Sequence, residues 1–328
     1  MTHSVILGTG SYVPEKVLTN QDLEKIVDTT DEWIFERTGI RERRVAPPKA
    51  AASDISIPAS KNALEAAGIY PKDIDLIVVT TLTPDSLCPS TACWLQAEIG
   101  AERAAAFDLN AACSGFVYGL QVGDAYIRSG LMKNILVVSV DLMTRTVDWS
   151  DRGTCVLWGD GAGAVVMGPA ENGEKGLIDS YIYSDGHDAD KIVIMGGGTK
   201  LPPMTPEETE SNERTLKMKG QETFKTAVRH FTDVCKEVLE KNDMTVDDID
   251  VFIPHQANIR IIDAVAKRLE LDRDKVVITI DKYGNMSSAT IPVALDEWVR
   301  EGKIRHGDNV LMAAFGGGLT WGAALVEW

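Results

Sequence analysis

Cys113 stands where a thiol could serve as a nucleophile, between a strand-like segment and a helix-like segment. Residues 104–110 read as a buried strand, and the apolar residues Phe116, Leu120 and Ile127 then recur at helical spacing. A thiol at such a junction lies at the positive end of the helix dipole, which favours the thiolate. The segment predicts a cysteine that attacks a carbonyl carbon, and the competing interpretation is an inert buried cysteine.

His255 and Asn285 are two further polar residues placed to do chemistry, because each follows a predicted strand. The strands are predicted over residues 251–254 and 276–280. Ligands of α/β sheets gather outside the carboxyl ends of strands, so both side chains are expected near Cys113. Taken singly, His255 also fits a structural histidine, and Asn285 also fits an ordinary Gly-Asn turn. The hypothesis of a catalytic site therefore requires that Cys113, His255 and Asn285 lie close together in the fold.

Two glycine clusters differ in what they can bind. Residues 159–164 mimic a dinucleotide fingerprint but lead into an apolar strand, which offers no helix N-terminus for a pyrophosphate. Residues 315–322, Phe-Gly-Gly-Gly-Leu-Thr-Trp-Gly, lie between two apolar strands instead. Consecutive glycines allow a turn whose N–H groups point at one spot, so this second cluster predicts an oxyanion hole.

The elements that must position these residues repeat along the chain. Strand and helix signals alternate, which predicts an α/β fold. A helix, a short acidic turn, Asp-Ile-Asp and an apolar strand occur at Asp73 and again at Asp248, 175 residues further on. The echo predicts two similar halves, residues 1–172 with the cysteine and residues 173–328 with the histidine and asparagine. Their joint is predicted within residues 168–176.

Composition and charge exclude several classes of protein. The net charge of −16 disfavours nucleic-acid binding and requires a local basic patch wherever an acidic partner docks. No apolar run approaches the ~20 residues of a membrane span, and no signal peptide is evident at the N-terminus. Five irregularly spaced cysteines fit reduced thiols in a cytoplasmic protein, without a disulfide framework or a zinc site. Residues 196–212, rich in Gly, Pro and Glu, predict a surface loop.

Ordered blocks along nearly the whole chain closely resemble the β-ketoacyl-[acyl-carrier-protein] synthase III family, which initiates type II fatty acid synthesis. The blocks are Asp-Glu-Trp (31–33), Arg-Thr-Gly-Ile-Arg (37–41), Ala-Ala-Cys-Ser-Gly-Phe (111–116), Asp-Arg-Gly-Thr (151–154), Gly-Asp-Gly-Ala-Gly-Ala (159–164), Pro-His-Gln-Ala-Asn (254–258), Tyr-Gly-Asn (283–285) and the glycine cluster 315–322. The resemblance implies an α/β thiolase-like fold of two duplicated halves, each with a mixed five-stranded sheet, in a five-layered αβαβα architecture. It also implies a homodimer.

The resemblance implies a decarboxylating Claisen condensation in two half-reactions. Cys113 takes the acyl group from a short acyl-CoA primer, and the N–H groups of Cys113 and Gly317 stabilise the oxyanion. His255 and Asn285 then donate hydrogen bonds to the thioester oxygen of malonyl-acyl carrier protein as CO₂ leaves. The resulting carbanion attacks the acyl-cysteine and gives β-ketoacyl-acyl carrier protein. Phe315 would form an apolar wall that disfavours the malonyl carboxylate.

The family pattern also places the substrate-binding residues. Three are expected around the adenine and phosphates of CoA: Trp33, Arg37 and Arg152. Four are expected along the pantetheine channel: Gly220, Phe224, Ala257 and Asn258. Three on the helix after the histidine are expected to dock the acidic carrier protein: Arg260, Lys267 and Arg268. A solvated helix face is the alternative for this last group. No metal or resident cofactor is implied, because acyl-CoA and malonyl-acyl carrier protein are substrates.

Other reactions fit parts of the pattern. A cysteine hydrolase is one alternative, since Cys, His and Asn also follow the papain order, but the Cys-Gly-Ser-Cys-Trp signature is absent. An acyltransferase on the same fold without decarboxylation is another, and Asn285 argues against it. A thiolase needs a second catalytic cysteine near the C-terminus, and no cysteine follows Cys235. Leu87 stands where several family members carry an aromatic residue, which leaves the length and branching of the primer open.

Overall fold

The structure, a computed structural model, describes residues 3–171, 175–200 and 215–328. Its strands are β1 Ser4–Tyr12, β2 Val17–Thr19, β3 Glu42–Arg44, β4 Leu76–Thr80, β5 Ala105–Leu109, β6 Ile135–Leu142, β7 Asp160–Pro169, β8 Gly176–Ser184, β9 Ile192–Ile194, β10 Leu216–Met218, β11 Val251–Pro254, β12 Asn309–Gly316 and β13 Thr320–Glu327. Its α-helices are α1 Asn20–Leu23, α2 Asp31–Thr38, α3 Ala52–Ala67, α4 Thr91–Ile99, α5 Gly115–Arg128, α6 Arg152–Cys155, α7 Gly220–Glu240, α8 Ile259–Leu269, α9 Ile280–Tyr283 and α10 Thr290–Arg300.

The first sheet holds five strands in the order β1-β7-β6-β4-β5. β4 runs parallel to β5 and β6, whereas β7 runs antiparallel to β6 and β1. Every residue of β4 and β6 is buried, as expected for strands covered by helices on both faces. The strand predicted before Cys113 exists as β5, but the prediction that it is buried is wrong. β5 is partly exposed because it has a neighbour on only one side.

The second sheet has the order β11-β12-β13-β8, with four strands among the described residues rather than the five that the resemblance implies. Val276 pairs with Phe252 in a single parallel bridge where the fifth strand would lie. The strand predicted over residues 276–280 is therefore wrong. Two of its N–H groups donate to the side chain of Gln256 instead of to a neighbouring strand, and the chain then enters α9.

The two halves of the chain share individual hydrogen bonds at equivalent positions. The Asp75 carboxylate accepts the Asn134 N–H at 3.0 Å, and the Asn134 side chain donates at 2.9 Å to the carbonyl two residues before that aspartate. Asp250 and Asn309, each 175 residues further on, make the same two contacts at 2.8 and 2.9 Å. The Asp-Ile-Asp echo therefore marks a structural repeat.

Helices form three layers around the two sheets. α3 and α4 cover the outer face of the first sheet, and α7 and α8 cover the outer face of the second. α5 and α10 lie between the sheets, where Phe116, Leu120 and Leu295 are fully buried. This arrangement confirms the predicted five-layered αβαβα architecture. Among the described helices, none is long and apolar enough to cross a membrane.

Two predictions on chain organisation fall outside the described residues. β7 ends at Pro169 in the first sheet and β8 begins at Gly176 in the second, while the predicted boundary at 172/173 lies between them. The larger part of the loop predicted over 196–212, from residue 201 onward, also lies outside the described residues. Both stay predictions.

Candidate active site

Cys113 lies in a 3-10 turn, Ala112–Ser114, between β5 and α5. The predicted strand-to-helix junction is therefore confirmed. Ala112 adopts a left-handed φ of 46°, which turns the chain sharply enough to place Cys113 at the head of the helix between the sheets. The cysteine is 7% exposed, so its sulfur is reached only through a cavity.

The glycine hairpin between β12 and β13 lies directly against the nucleophile. A Cβ atom on Gly316 would come within 2.7 Å of the Cys113 nitrogen, so glycine is required for this approach. The N–H groups of Cys113 and Gly317 both interact with the Cys113 sulfur and act to lower its pKa. Two N–H groups converging beside a nucleophile are the arrangement of an oxyanion hole, which supports the role predicted for Gly317.

His255 follows β11, as predicted, and is held on two sides. Its N–H donates to the Ala313 carbonyl at 2.8 Å, which extends the pairing of β11 with β12 by one residue. Its Nδ1 lies 2.6 Å from the hydroxyl oxygen of Thr290. Burial lowers the pKa of His255 to about 3, so the imidazole is neutral at physiological pH.

Gln256 joins the two loops that carry the histidine and the asparagine. Its fully buried carboxamide makes four hydrogen bonds of 2.7 to 3.2 Å, with Pro254 O, Val277 O, Thr279 N and Ile280 N. Every strong donor and acceptor position of the amide is used, which fixes the end of β11 against the segment that leads to Asn285. Sequence reasoning missed this positioning role, because nothing local distinguishes a buried glutamine from an exposed one.

Asn285 is held by backbone pairing rather than by a strand end. Its N–H donates to Leu157 O at 2.9 Å, and its carbonyl accepts the Gly159 N–H at 3.0 Å. The side-chain Oδ1 accepts the N–H of Ser287, itself left-handed at φ 51°, at 2.8 Å. With the oxygen so occupied, the hydrogen-bond network assigns Nδ2 to the cavity as a donor. Asn285 follows the short helix α9, so the prediction that it follows a strand is wrong.

One cavity of about 270 Å³ brings the three predicted catalytic side chains together. Cys113, His255 and Asn285 all line it, along with Phe315 and Gly316. Six of the seven predicted CoA-binding residues line the same cavity: Trp33, Arg37, Gly220, Phe224, Ala257 and Asn258. Sequence reasoning missed several apolar lining residues, which look like ordinary core positions in the sequence: Leu157, Trp158, Ile192, Met218 and Ile261.

The electrostatics of the sulfur differ from the prediction. Burial raises the pKa of the Cys113 thiol to about 12, and the buried Asp141 carboxyl acts in the same direction. The Ser287 hydroxyl, 3.7 Å from the sulfur, opposes this rise together with the N–H groups already described. Desolvation outweighs the groups that favour the anion, so the prediction of a favoured thiolate is wrong for this structure. Ser287 is a functional candidate that sequence reasoning missed.

Trp33, which lines the cavity, has two arginines close to its ring. The Cζ atoms of Arg37 and Arg152 are 4.6 and 4.7 Å from the centroid of its ring. α2 presents Trp33 and Arg37 together after its N-cap Thr30, whose hydroxyl accepts the Trp33 N–H. Arg152 does not line the cavity, and one of its nitrogens donates to Asp28 O at 2.8 Å. An aromatic face flanked by cations suits a flat base that carries phosphates.

The three predicted docking residues lie on α8. Asn258 caps α8 by accepting the Arg260 N–H, and its own Nδ2 donates to the last turn of α2 at 3.0 Å. Arg260 donates two hydrogen bonds to Glu36 O, at 3.0 and 3.2 Å. Lys267 and Arg268 are exposed in the last turn of α8. The first turn of α8 therefore lies at the cavity, and its last turn carries the two exposed cations about two turns away.

Metal ligands do not cluster in the part of the chain that the structure describes. No group of three or more His, Cys, Asp or Glu side chains there could hold a metal ion. All five cysteines are described, and each is a free thiol.

Comparisons with known proteins agree with this geometry. The model of 3-oxoacyl-[acyl-carrier-protein (ACP)] synthase III matches residues 107–186, and the model of its C-terminal part matches residues 239–328. β-Ketoacyl-[acyl-carrier-protein] synthase III of Caldanaerobacter subterraneus subsp. tengcongensis is 51% identical, covering 98% of this chain and 97% of the relative. That of Clostridioides difficile is 50% identical, with coverages of 100% and 99%. The crystal structure of 3-oxoacyl-[acyl-carrier-protein] synthase III from Aquifex aeolicus has a TM-score of 0.92 and 46% identity over 100% of both chains.

The duplicated sheets and the cavity that holds Cys113, His255 and Asn285 are those of a condensing enzyme of the thiolase fold, a class of acyltransferase. Sequence identity of about 50% to these relatives over nearly the full length identifies the family within that class. The chain belongs to the β-ketoacyl-[acyl-carrier-protein] synthase III family. The resemblance read from the sequence blocks and the thiolase-like fold are thereby confirmed.

Proposed function

We infer that this protein catalyses the condensation that initiates fatty acid synthesis. The acyl group of a short acyl-CoA passes to Cys113 and CoA leaves; malonyl-acyl carrier protein then loses CO₂. Its nucleophilic carbon attacks the acyl-Cys113 carbonyl and releases β-ketoacyl-acyl carrier protein. Family membership supports this reaction. The structural observation that carries it is the meeting of Cys113, His255 and Asn285 in one cavity.

The groups around the Cys113 sulfur each have a role in the proposed reaction. The N–H groups of Cys113 and Gly317 stabilise the oxyanion that forms when the sulfur attacks a thioester. His255 and Asn285 donate to the malonyl thioester oxygen as it becomes an enolate. Phe315 lines the cavity and is 5% exposed, so a carboxylate beside it is poorly solvated and its loss as CO₂ relieves that cost. The proposed reaction uses no resident metal or cofactor.

The direct test is turnover with carboxyl-labelled malonyl-acyl carrier protein and acyl-CoA. We expect β-ketoacyl-acyl carrier protein and labelled CO₂ in equal amounts, and no cleavage of added peptides. Acyl transfer without CO₂ release would instead identify an acyltransferase, and peptide cleavage would identify a hydrolase. Turnover with acetyl-, isobutyryl- and octanoyl-CoA then measures the choice of primer.

Replacing Trp33 by alanine is expected to raise the KM for acyl-CoA with little change in kcat. Stacking of a base on an aromatic ring is worth about 1–3 kcal/mol, which corresponds to a roughly 5- to 150-fold rise in KM. Kinetics with acyl-CoA and with acyl-pantetheine, which lacks the nucleotide, check the cause. The effect should vanish with acyl-pantetheine, and an equal loss with both substrates would mean that Trp33 supports the fold rather than the nucleotide.

We propose that the exposed face of α8 docks the carrier protein. The overall charge is −16, so an acidic partner needs this local patch. Two acidic residues interrupt the patch: Asp263, which is paired with Arg273 at 2.5 Å, and the exposed Glu270, which caps the C-terminus of α8. The double change Lys267→Glu with Arg268→Glu should raise the KM for malonyl-acyl carrier protein roughly 10-fold at low salt. Acylation of Cys113 by acyl-CoA serves as the internal control, and a parallel loss there would refute docking.

We further propose that the protein is a cytoplasmic homodimer. β5 ends the first sheet with a partly exposed edge, and strands at an edge pair readily across a two-fold axis. Apolar side chains are exposed nearby in sequence, Leu87 at 83% and Trp94 at 47%. Sedimentation equilibrium should give the mass of two chains, and a mass of one chain at micromolar concentration would contradict the proposal.

A further inference from the structure

Thr290, the first residue of α10, contacts the imidazole of His255 on the side of Nδ1. The two atoms, Nδ1 and Oγ1, are 2.6 Å apart, and both residues are buried. The Thr290 hydroxyl accepts the Gln256 N–H at 3.3 Å, and the Ser287 carbonyl, 3.1 Å away, is a second acceptor for its hydrogen. No motif in the sequence singles out Thr290, and it does not line the cavity.

The distances indicate which atom carries the hydrogen in the short contact. N–H···O bonds in proteins have donor–acceptor distances of about 2.7–3.2 Å, whereas O–H···O bonds, in which a hydroxyl is the donor, are shorter at about 2.5–3.0 Å. A contact of 2.6 Å is therefore typical of the Thr290 hydroxyl as donor and Nδ1 as acceptor. The Ser287 carbonyl does not need that hydrogen, because it already accepts the backbone N–H of Thr290. The Gln256 N–H donates to a lone pair of the same hydroxyl oxygen, and the single hydroxyl hydrogen then serves the shorter of its two contacts, the one with Nδ1.

We propose that Thr290 is a positioning residue that holds His255 in the neutral tautomer with its hydrogen on Nε2. The hydroxyl donates to Nδ1, so Nδ1 must keep its lone pair and the ring hydrogen must lie on the opposite nitrogen. The tautomer itself does not depend on which reaction the enzyme performs. Its catalytic consequence rests on the proposed function of the site.

The catalytic consequence is whether His255 attracts or repels the malonyl thioester oxygen in the cavity. In the proposed condensation the malonyl thioester oxygen gains negative charge, and Asn285 Nδ2 supplies one donor to it. Because burial keeps His255 neutral, its nitrogen in the cavity offers either a hydrogen or a lone pair. A hydrogen on Nε2 stabilises the enolate oxygen, and a lone pair would repel it. Thr290 therefore decides whether His255 assists the reaction, and the same tautomer leaves Nε2 unable to accept the proton of Cys113.

The tautomer can be read without any substrate by NMR of protein labelled with ¹⁵N-histidine. The chain has five histidines, and His255→Ala identifies the signals of interest by their loss. We expect a protonated Nε2 and an unprotonated Nδ1 in the wild type and in Thr290→Ser, which keeps the hydroxyl. Thr290→Val, which keeps the shape but loses the donor, should no longer show a single tautomer. A hydrogen on Nδ1 in the wild type, or an unchanged single tautomer in Thr290→Val, would overturn the proposal.

Kinetics provide the second readout. Thr290→Val should lower kcat for condensation about 10- to 100-fold, the usual cost of losing a residue that orients a catalytic group, and leave the KM for acyl-CoA within about 2-fold. Thr290→Ser should restore kcat to within about 3-fold. Thr232→Val is the matched control, because it removes a buried threonine hydroxyl that bonds only a carbonyl of its own helix. An equal loss of kcat in Thr232→Val, or no rescue by serine, would assign the effect to folding. If the wild type shows the expected tautomer but performs no condensation, the proposed function fails and the tautomer assignment stands.

Discussion

Cys113→Ala is expected to reduce condensation by on the order of 10⁴- to 10⁶-fold, because the acyl group then has no atom to bond to. The cavity and the oxyanion donors remain in this variant, since alanine fits where cysteine did. Binding of acyl-CoA should therefore persist while covalent transfer is lost. Intact-mass measurement after incubation with acyl-CoA checks this: the wild type should gain one acyl group, and the variant none.

The other two buried cysteines provide the controls for this experiment. Cys155 and Cys235 are fully buried and do not line the cavity. Burial raises the pKa of all three thiols, so the difference between them lies in access: Cys113 faces the cavity, whereas Cys155 and Cys235 do not. Cys155→Ala and Cys235→Ala should keep the acyl adduct and turnover. An acyl adduct on Cys113→Ala, or its loss in Cys235→Ala, would place the nucleophile elsewhere.

Asn285→Ala is expected to separate the two half-reactions. Acylation of Cys113 does not use the Asn285 amide, so the acyl adduct should still form. Decarboxylation should fall about 10²- to 10³-fold, the usual cost of losing one donor to a developing oxyanion. Rapid-quench measurement of acyl-enzyme and of CO₂ from malonyl-acyl carrier protein checks both steps in one sample.

Asn285→Asp distinguishes loss of the amide donor from disruption of the loop. Aspartate has the same shape and still accepts the Ser287 N–H, but it offers no hydrogen where Nδ2 stood. It should therefore lose decarboxylation as alanine does, with the loop intact. Asn62→Ala, which removes an amide that bonds Ser11 O away from the cavity lining, should leave both steps unchanged. Decarboxylation near the wild-type rate in Asn285→Asp would remove the amide donor from the mechanism.

Features set by local chain chemistry were predictable from the sequence. The position of Cys113 followed from the apolar spacing of α5, because a helix between two sheets must bury one continuous stripe. The repeat followed from the Asp-Ile-Asp echo, since equivalent turns use equivalent hydrogen bonds. The convergence of Cys113, His255 and Asn285 needed more than local patterns. It was predictable because each block kept the residue types and order of a known family.

Features set by tertiary contacts were not predictable in this way. Residues 276–280 have the composition of a strand, yet a side-chain amide from another loop takes two of their N–H groups. The apolar periodicity of β5 is the same at an edge as at the centre of a sheet, so its exposure was predicted wrongly. The pKa of Cys113 depends on how completely the folded chain excludes water, and a helix dipole alone gives the wrong sign.

The left-handed turns at Ala112 and Ser287 show that equivalent positions in the two halves of the chain have different roles. They lie 175 residues apart, so Cys113 and Ser288 hold corresponding places ahead of the two central helices. Cys113 carries the reactive sulfur. Ser288 has a structural role instead, because its hydroxyl donates to Thr80 O at 3.1 Å and to the Asp141 carboxylate at 2.8 Å. An assembly of two separate, identical units would be obliged to put the same side chain in both. Within a single chain the two positions can carry different side chains, so one serves as the nucleophile and the other as a structural residue.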